Sequence, residues 1–488
     1  MSRWFWAAGC VCACVSLSAW AGPGPDVFNV HNVTELGNAM GQLGDGDTIV
    51  MYPGTYTIGN SLVIRANNVT IRSSTGLCDD VTIYGGGFNN TSAVREAVQI
   101  YSDDVTIRDL KIEGFYHHAV HFQSGVDRSL IRNVHTLNIG EHHMKGAHYN
   151  YDGVIEYCLM EQTEVRQNGL PDRPDNYVGG IDLMGGMNFR VRDNIAKGIK
   201  GASDGGDAGI FLWGGSSNCI VERNITIGCQ KGIALGNPMD QGYYEAVGCI
   251  VRNNFIVRDN NNDIGMELCF TQNCEASYNT VYSLYQDNDF FRTLQLYDNT
   301  LRPTQNLKVL YNLIRGNVVS GNFNGVVTMT GNIIGTTPQP AWFTDPAAGN
   351  LRLTATAAAA INHGLPLATV LEDLDGSLRP ALPDVGADEY LAPWLGDANR
   401  DGLVDYLDLG ILAANYRLEA RSWADGDFTL DHKVDYLDLG VLAGNYRHGA
   451  AGGEVSVGGE SIPEPMSLLL LALGAGLLRR RREQPVVF

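Results

Sequence analysis

Residues 219–227 read CIVERNITI and residues 249–257 read CIVRNNFIV. The same frame returns as FRVRDNI at 189–195, CEASYNTVY at 274–282, LKVLYNLI at 307–314 and VVTMTGNII at 326–334. Each copy carries one asparagine at the same place: Asn194, Asn224, Asn254, Asn279, Asn312 and Asn332. Repeats of roughly 20 to 33 residues, with two short β-rich runs and a turn-forming Asn between them, predict a right-handed parallel β-helix. Stacked asparagines can bond side chain to side chain along the axis, satisfying amides that would otherwise be buried without partners. The coil also builds a rigid face on which side chains far apart in sequence become neighbours.

The termini predict export. Arg3, the apolar run Trp4 to Leu17 and small residues around Ala19 to Ala21 read as a signal peptide over 1–21. Cys10, Cys12 and Cys14 leave with it, and the seven cysteines that remain are an odd number, so at least one is unpaired. Cys219, Cys249 and Cys274 fall in one frame ahead of the ladder strands and read as stacked, inward-facing apolar residues. At the other end, Ile462-Pro463-Glu464-Pro465 precedes an apolar stretch, Met466 to Leu478, and a basic stop, Arg479 to Arg482. The stretch is shorter than the roughly 20 residues of a spanning helix. Residues 462–488 resemble a PEP-CTERM sorting signal, which implies a membrane exosortase as processing partner, transient inner-membrane retention, and a cell-surface or extracellular destination. A plain tail anchor is the alternative. Residues 449–461 are Gly-rich and read as a flexible linker.

Residues 396–417 (GDANRDGLVDYLDLGILAANYR) and 426–447 (GDFTLDHKVDYLDLGVLAGNYR) are near copies. An EF-hand-type loop places oxygen ligands at positions 1, 3, 5, 9 and 12, with a main-chain carbonyl at about position 7 and Gly favoured at 6. The first copy offers Asp397, Asn399, Asp401, the Leu403 carbonyl, Asp405 and Asp408, with Gly402 at the turn. The second offers Asp427, Thr429, Asp431, the Lys433 carbonyl, Asp435 and Asp438. His432 stands where Gly is favoured, which predicts a strained second loop. Asp at position 12, the LG(I/V)LA run and the closing Asn-Tyr-Arg make residues 396–448 resemble a type I dockerin. That resemblance implies two Ca²⁺ ions, a small α-helical domain and a cohesin-like partner, with Tyr406-Leu407 and Tyr436-Leu437 as two equivalent docking faces. The formal net charge of −20 is explained in part by these acids. With no basic face in view, it argues against nucleic acid.

The β-helix with its caps is expected over residues 26–390. Thr34 to Leu43 read as a short amphipathic capping helix, and GDGDTIVMYPGTY (44–56) with LVIRANNVTIRS (62–73) resembles the opening of pectin-lyase-like β-helix proteins. DLDGSLRPALPDVGADEY (373–390) resembles a closing segment and is expected to cap the last coil.

A second set of segments recurs in step with the ladder: HAVHFQSG, HHMKGAH, GGIDLMGG, AGIFLWGG and KGIALGNP, beginning at residues 118, 142, 179, 208 and 231. Aligned on Val120, Met144, Ile181, Ile210 and Ile233 as inward residues, alternation gives an outward column His121, Lys145, Asp182, Phe211, Ala234. A neighbouring column, Ala119, His143, Gly180, Gly209, Gly232, is also expected to face outward. Coils lie about 4.8 Å apart, so His121, His143, Lys145 and Asp182 should meet in an open groove. The long insertions EVRQNGLPDRPDNYV (164–178) and GASDGGDA (201–208) would wall it, and Phe211 with Trp213 would floor it for a sugar.

Resemblance to the pectin-lyase-like superfamily implies polysaccharide as substrate or ligand. For β-elimination on a polyuronate, Lys145 would be the base, with His121 or His143 neutralising the uronate carboxyl. For hydrolysis, Asp182 would need a second acid, and Asp204 or Asp207 on the adjacent loop are the candidates. The superfamily's catalytic motifs are absent. A non-catalytic surface adhesin or matrix-binding rod fits everything but the His-Lys-Asp column.

Overall fold

The computed structural model of the protein describes residues 24–164, 166–172, 174–202, 206–259, 264–284, 292–390, 395–399 and 403–447. The expected signal peptide, Gly-rich linker and sorting signal lie outside the described residues, as do Asp204, Asp401 and Gly402.

The chain between the termini is a parallel β-helix. Strands stack into sheets of 21, 10 and five strands, and pairing within these three sheets is parallel. One coil shows the pattern: Gly179–Met184, Gly186–Met187, Arg190–Arg192 and Ile195–Lys197 pair respectively with Ala208–Trp213, Ser216–Ser217, Ile220–Glu222 and Ile225–Ile227 of the next. Alternation sends every second side chain inside, where like stacks on like. Ile49, Ile71, Ile107, Ile131, Ile155, Val191, Val221 and Val251 form one such buried column, paired neighbour to neighbour. β-branched residues suit this position because their restricted χ1 packs well on a pleated surface.

The asparagine ladder runs unbroken. Nδ2 of Asn194, Asn224, Asn254, Asn279 and Asn312 each donates to Oδ1 of the next asparagine at 2.9–3.0 Å. Backbone N–H groups of the same residues donate to the same oxygens. The residue before each asparagine has positive φ: Asp193, Arg223, Asn253, Tyr278, Tyr311 and Gly331. That left-handed step makes the corner between two strands, and the buried asparagine supplies the bonds the corner leaves open. Cys219, Cys249 and Cys274 are buried one above another at another corner, and all seven described cysteines are buried. No disulfide framework exists among the described residues.

The N-terminal end is covered as expected. A helix, Val33–Met40, capped by Asn32, packs Leu36 and Ala39 into the main core. The C-terminal segment does otherwise. Residues 342–387 do not close the last coil, whose strand Val327–Thr330 stays largely exposed, but lie along the flank. There Trp342, Phe343, Leu351, Val370 and Val385 cover Ile225, Phe255, Val257, Tyr282 and Leu313, outward apolar residues of successive coils. The outer face of this column is too apolar to leave wet, and covering it wins over covering the end.

Among the described residues beyond 395 the chain forms two α-helices, Tyr406–Asn415 and Tyr436–Asn445, with a core of their own made by Val404, Leu412, Trp423, Phe428, Val434, Leu439 and Leu442. Each helix is N-capped through a capping box, Asp405 with Asp408 and Asp435 with Asp438.

Candidate functional site

The ladder of the ten-stranded sheet puts the outward column together in the expected register. Gln99 pairs with His121, His121 with Lys145, Lys145 with Asp182, Asp182 with Phe211, and Phe211 with Ala234. Lys145 Nζ lies 2.8 Å from Asp182 Oδ2, and Asp182 Oδ1 accepts from Trp213 Nε1 at 2.7 Å. His142 Nε2 sits 3.0 Å from both Asp182 Oδ2 and Asp207 Oδ2. His121 Nδ1 is 3.0 Å from Glu96 Oε1, whose other oxygen accepts from Gln99 at 2.6 Å. His118 lies between these groups, its ring 5.1 Å from that of His121 and 5.5 Å from that of His142.

Two expectations about this face are overturned. His143 does not join the cluster. Pairing runs from His142–Gly179 to Met144–Ile181 with no pair at His143, so strict alternation breaks at the corner. His143 turns inside, fully buried, bonded through Nδ1 to Thr136 Oγ1 at 2.7 Å, and burial pushes its pKa down to about 3. The glycines of the same column face inward too, since a side-chain carbon on Gly209 would meet Ala196 and Cys229, and one on Gly232 would meet Ile256. The open groove is the second. Lys145 is 6% exposed and Asp182 0%, beneath Tyr177 of the long insertion, whose ring lies 5.3 Å from Lys145 Nζ and 4.2 Å from the His142 ring. Phe211 is buried as well, stacked at 5.5 Å on Trp213, so Trp213 and Tyr177 are the aromatics left half-buried at the rim.

Electrostatics fix the charge states. Burial works against a charged Lys145, but Asp182 and Tyr177 more than offset it, and the ammonium pKa is raised. Asp182 is driven well below the usual carboxylate range, against burial, by His142 and Lys145. His142 is raised, again against burial and against Lys145, by its bonds to Asp182 and Asp207. His118 is lowered by burial and by the cations around it. Glu96 is lowered despite burial, through His121 and Gln99, so it stays anionic and orients the imidazole. Lys145 is therefore a fixed cation in this arrangement, and the role of proton-abstracting base does not suit it. The Asp182–Asp207 pair does not suit glycoside hydrolysis, because an imidazole fills the space between the carboxylates.

Glu96, His118, His142 and Tyr177 were not singled out by sequence. Gln99 lies one coil up the same column, with Glu96 three residues before it, so extending the register through REAVQI (95–100) would have reached them.

In the C-terminal module, the last acid of each loop folds back onto the loop's start. Asp438 accepts from the Phe428, Thr429 and Asp435 amides, and Asp408 accepts from those of Ala398, Asn399 and Asp405. Asp427 accepts from Leu430 and His432. Burial raises the pKa values of Asp427, Asp431 and Asp438, with neighbouring carboxylates adding to the shift at Asp427 and Asp431. An all-oxygen acidic set penalised in this way fits a hard divalent cation. His432 at the turn has φ +64°, a left-handed conformation that favours Gly.

No curated protein sequence matches this chain. Among solved structures it is similar to pectate lyase Pel9A, at 12% identity over 75% of this chain and 96% of that one, TM-score 0.46. It is also similar to the alginate lyase from Paenibacillus sp. str. FPU-7, at 14% identity over 56% and 98%, TM-score 0.38. A third is PfbA, a surface adhesin of Streptococcus pneumoniae, at 12% identity over 62% and 86%, TM-score 0.42. Likeness at this level says nothing of activity. Residues 47–226 match the family model of the right handed beta helix region, and this part of the chain is a right-handed β-helix.

Proposed function

We propose that the chain is an exported, surface-sorted protein that binds an acidic polysaccharide on the face formed by His121, Lys145, Asp182 and Trp213. The observation that carries this reading is the permanently charged Lys145 ammonium, 5.3 Å from the Tyr177 ring and 5.5 Å from the Trp213 ring. Half-buried aromatics offer sugar-stacking surfaces, and the cation favours a uronate carboxylate over a neutral sugar. A ligand reaches Lys145 by displacing Tyr177. The insertion that carries Tyr177 is held in part by the exposed Arg95–Asp172 pair, which contributes little. Lys145→Met is expected to weaken binding of polyuronate at least tenfold in calorimetry while leaving neutral glycans unaffected. Equal loss for both would count against the reading.

A second reading, cleavage by β-elimination, is favoured by the His121–Glu96 pair. Glu96 takes the Nδ1 side, and Nε2 makes no hydrogen bond among the described residues. Here His121 Nε2 removes the proton beside the uronate carboxyl, Lys145 neutralises that carboxyl, and the C–H electron pair forms the double bond as the glycosidic C–O bond breaks. The leaving oxygen takes its proton from Tyr177, whose phenol burial keeps neutral. Ultraviolet absorbance of an unsaturated uronate tests this directly. If it forms, His121→Ala should reduce kcat by about 100-fold or more, and an unreactive panel of polyuronates leaves the binding protein as the function.

The C-terminal module is proposed to be dockerin-like, binding two Ca²⁺ ions and a cohesin-like partner. Tyr406, Leu407, Tyr436 and Leu437 are exposed at equivalent places on the two helices, which supports two equivalent docking faces. Processing by a membrane exosortase belongs to the same proposal. Asp427→Ala should remove one calcium from the stoichiometry measured by calorimetry, and two ions still bound would sink the assignment of the second loop.

A further inference from the structure

The second acidic loop does more than its ligand spacing requires. Its turn residue, His432, has a left-handed backbone where glycine costs least, yet the imidazole is directed at the β-helix, with its ring 5.6 Å from that of Tyr157 at 82°. The next residue, Lys433, reaches Asp79 of the β-helix at 2.7 Å and Glu419 at 3.3 Å. Glu419 bridges to Lys433 in the module and accepts the Cys78 backbone N–H at 2.6 Å and Asn133 Nδ2 at 3.2 Å. The residues that shape the loop at positions 6 and 7 thus also hold the module on the β-helix flank. Between the two bodies remains a polar cavity of about 140 Å³ lined by Tyr157, Asp193, Arg223, Trp423 and His432 among others. A seam with such a cavity is a separable contact and not a fused core.

We infer that the second loop is a calcium-controlled latch: the flank around Cys78, Asn133 and Tyr157 is its receptor surface, and loading the loop with Ca²⁺ and seating the module are one linked equilibrium. This rests on the calcium reading above. The loop's acids repel one another without a cation, and the 431–433 turn they surround meets the flank directly through His432 and Lys433 and indirectly through Glu419, which Lys433 holds. Linkage is reciprocal, so the flank must strengthen calcium binding by the factor with which calcium strengthens the seat. The exposed Tyr-Leu pairs point to other surfaces of the module, so a seated module keeps its face for an external partner. The placement also explains His432: an imidazole on Tyr157 does what glycine cannot.

The test uses the full chain. Hydrogen exchange at the Cys78 amide, whose acceptor is Glu419, reports the seat, and calorimetry with CaCl₂ reports loading. Chelation of calcium should speed Cys78 exchange at least tenfold. Tyr157→Ala, a change on the β-helix, should weaken one calcium site about fivefold and leave the other unchanged. His432→Gly, which the loop backbone alone would welcome, should leave Cys78 unprotected even in calcium. Calcium heat with an unchanged Cys78 amide on chelation overturns the latch alone. Equal affinity at both sites in Tyr157→Ala, or full protection in His432→Gly, overturns it too. Absence of any calcium heat sinks the calcium reading, and the latch with it.

Discussion

Asp182→Asn is expected to abolish polyuronate binding and to destabilise the β-helix by about 3–5 kcal/mol, the cost of removing one partner from a buried ion pair. Asp182 is fully buried and takes Lys145, His142 and Trp213 on its two oxygens. An amide in its place leaves two cationic groups facing a neutral one, with Asp207 the remaining acid within reach of His142 among the described residues. The pH dependence identifies the mechanism. His142 has a raised folded pKa, so its contribution is fully present below the unfolded value of about 6.5 and is lost as pH rises through the folded value. Lys145, also raised, contributes constantly below its unfolded value of about 10.4. Asp182, lowered, loses its contribution only as pH falls below about 4. Between pH 5.5 and 8, then, His142 alone among these three changes. In the variant its pKa falls, because burial and Lys145 oppose the charge with less to offset them, and acidification becomes destabilising. Urea midpoints of native and variant protein should differ more at pH 5.5 than at pH 8. A difference that shrinks on acidification would mean that His142 is not held charged by Asp182.

How much of this was legible in the sequence follows from which interactions are periodic. The ladder asparagines and the column His121, Lys145, Asp182, Phe211, Ala234 repeat with the coil, so their register could be read from spacing. His142 and His143 could not be told apart, because the corner before Met144 breaks the alternation and hands the outward place to His142. The charge of Lys145 was open for a different reason: it depends on how close Asp182 and Tyr177 come, and Tyr177 lies on an insertion without period. The misplaced C-terminal cover did leave a signal. Ile225, Phe255 and Leu313 follow their ladder asparagines directly and point outward, with Val257 and Tyr282 two places further along their strands. An outward apolar column demands a cover, and the terminal segment was the chain available to supply it.

Asn254→Ala is expected to cost about 3 kcal/mol, and Asn254→Asp more, although Asp is nearly isosteric. Oδ1 of Asn254 accepts from both the backbone N–H and Nδ2 of Asn224, and its own Nδ2 donates to Val221 O, Arg252 O and Asn279 Oδ1. Alanine strands the buried backbone N–H of Asn224, takes one of three acceptors from Asn224 Nδ2, and removes the donor to Val221 O, Arg252 O and Asn279 Oδ1, where a buried group left unmade costs about 1–3 kcal/mol. Aspartate keeps the acceptor for Asn224 but sets a second oxygen against Val221 O, Arg252 O and Asn279 Oδ1, where only a donor can satisfy the site. Protonation would restore a donor, so burial and these acceptors raise the folded carboxyl pKa above its unfolded value. Stability of the aspartate variant should therefore be highest in acid and fall as pH rises through that value. Position along the ladder supplies the control. Asn332 ends the stack half-buried, so water can replace what its side chain gave Asn312, and Asn332→Ala should cost under about 1 kcal/mol. Denaturant midpoints for the three variants, measured at pH 5 and pH 8, decide the matter. Equal losses at Asn254 and Asn332, or an aspartate variant that gains stability with pH, would mean that the ladder is a consequence of the coil and not one of the things holding it together.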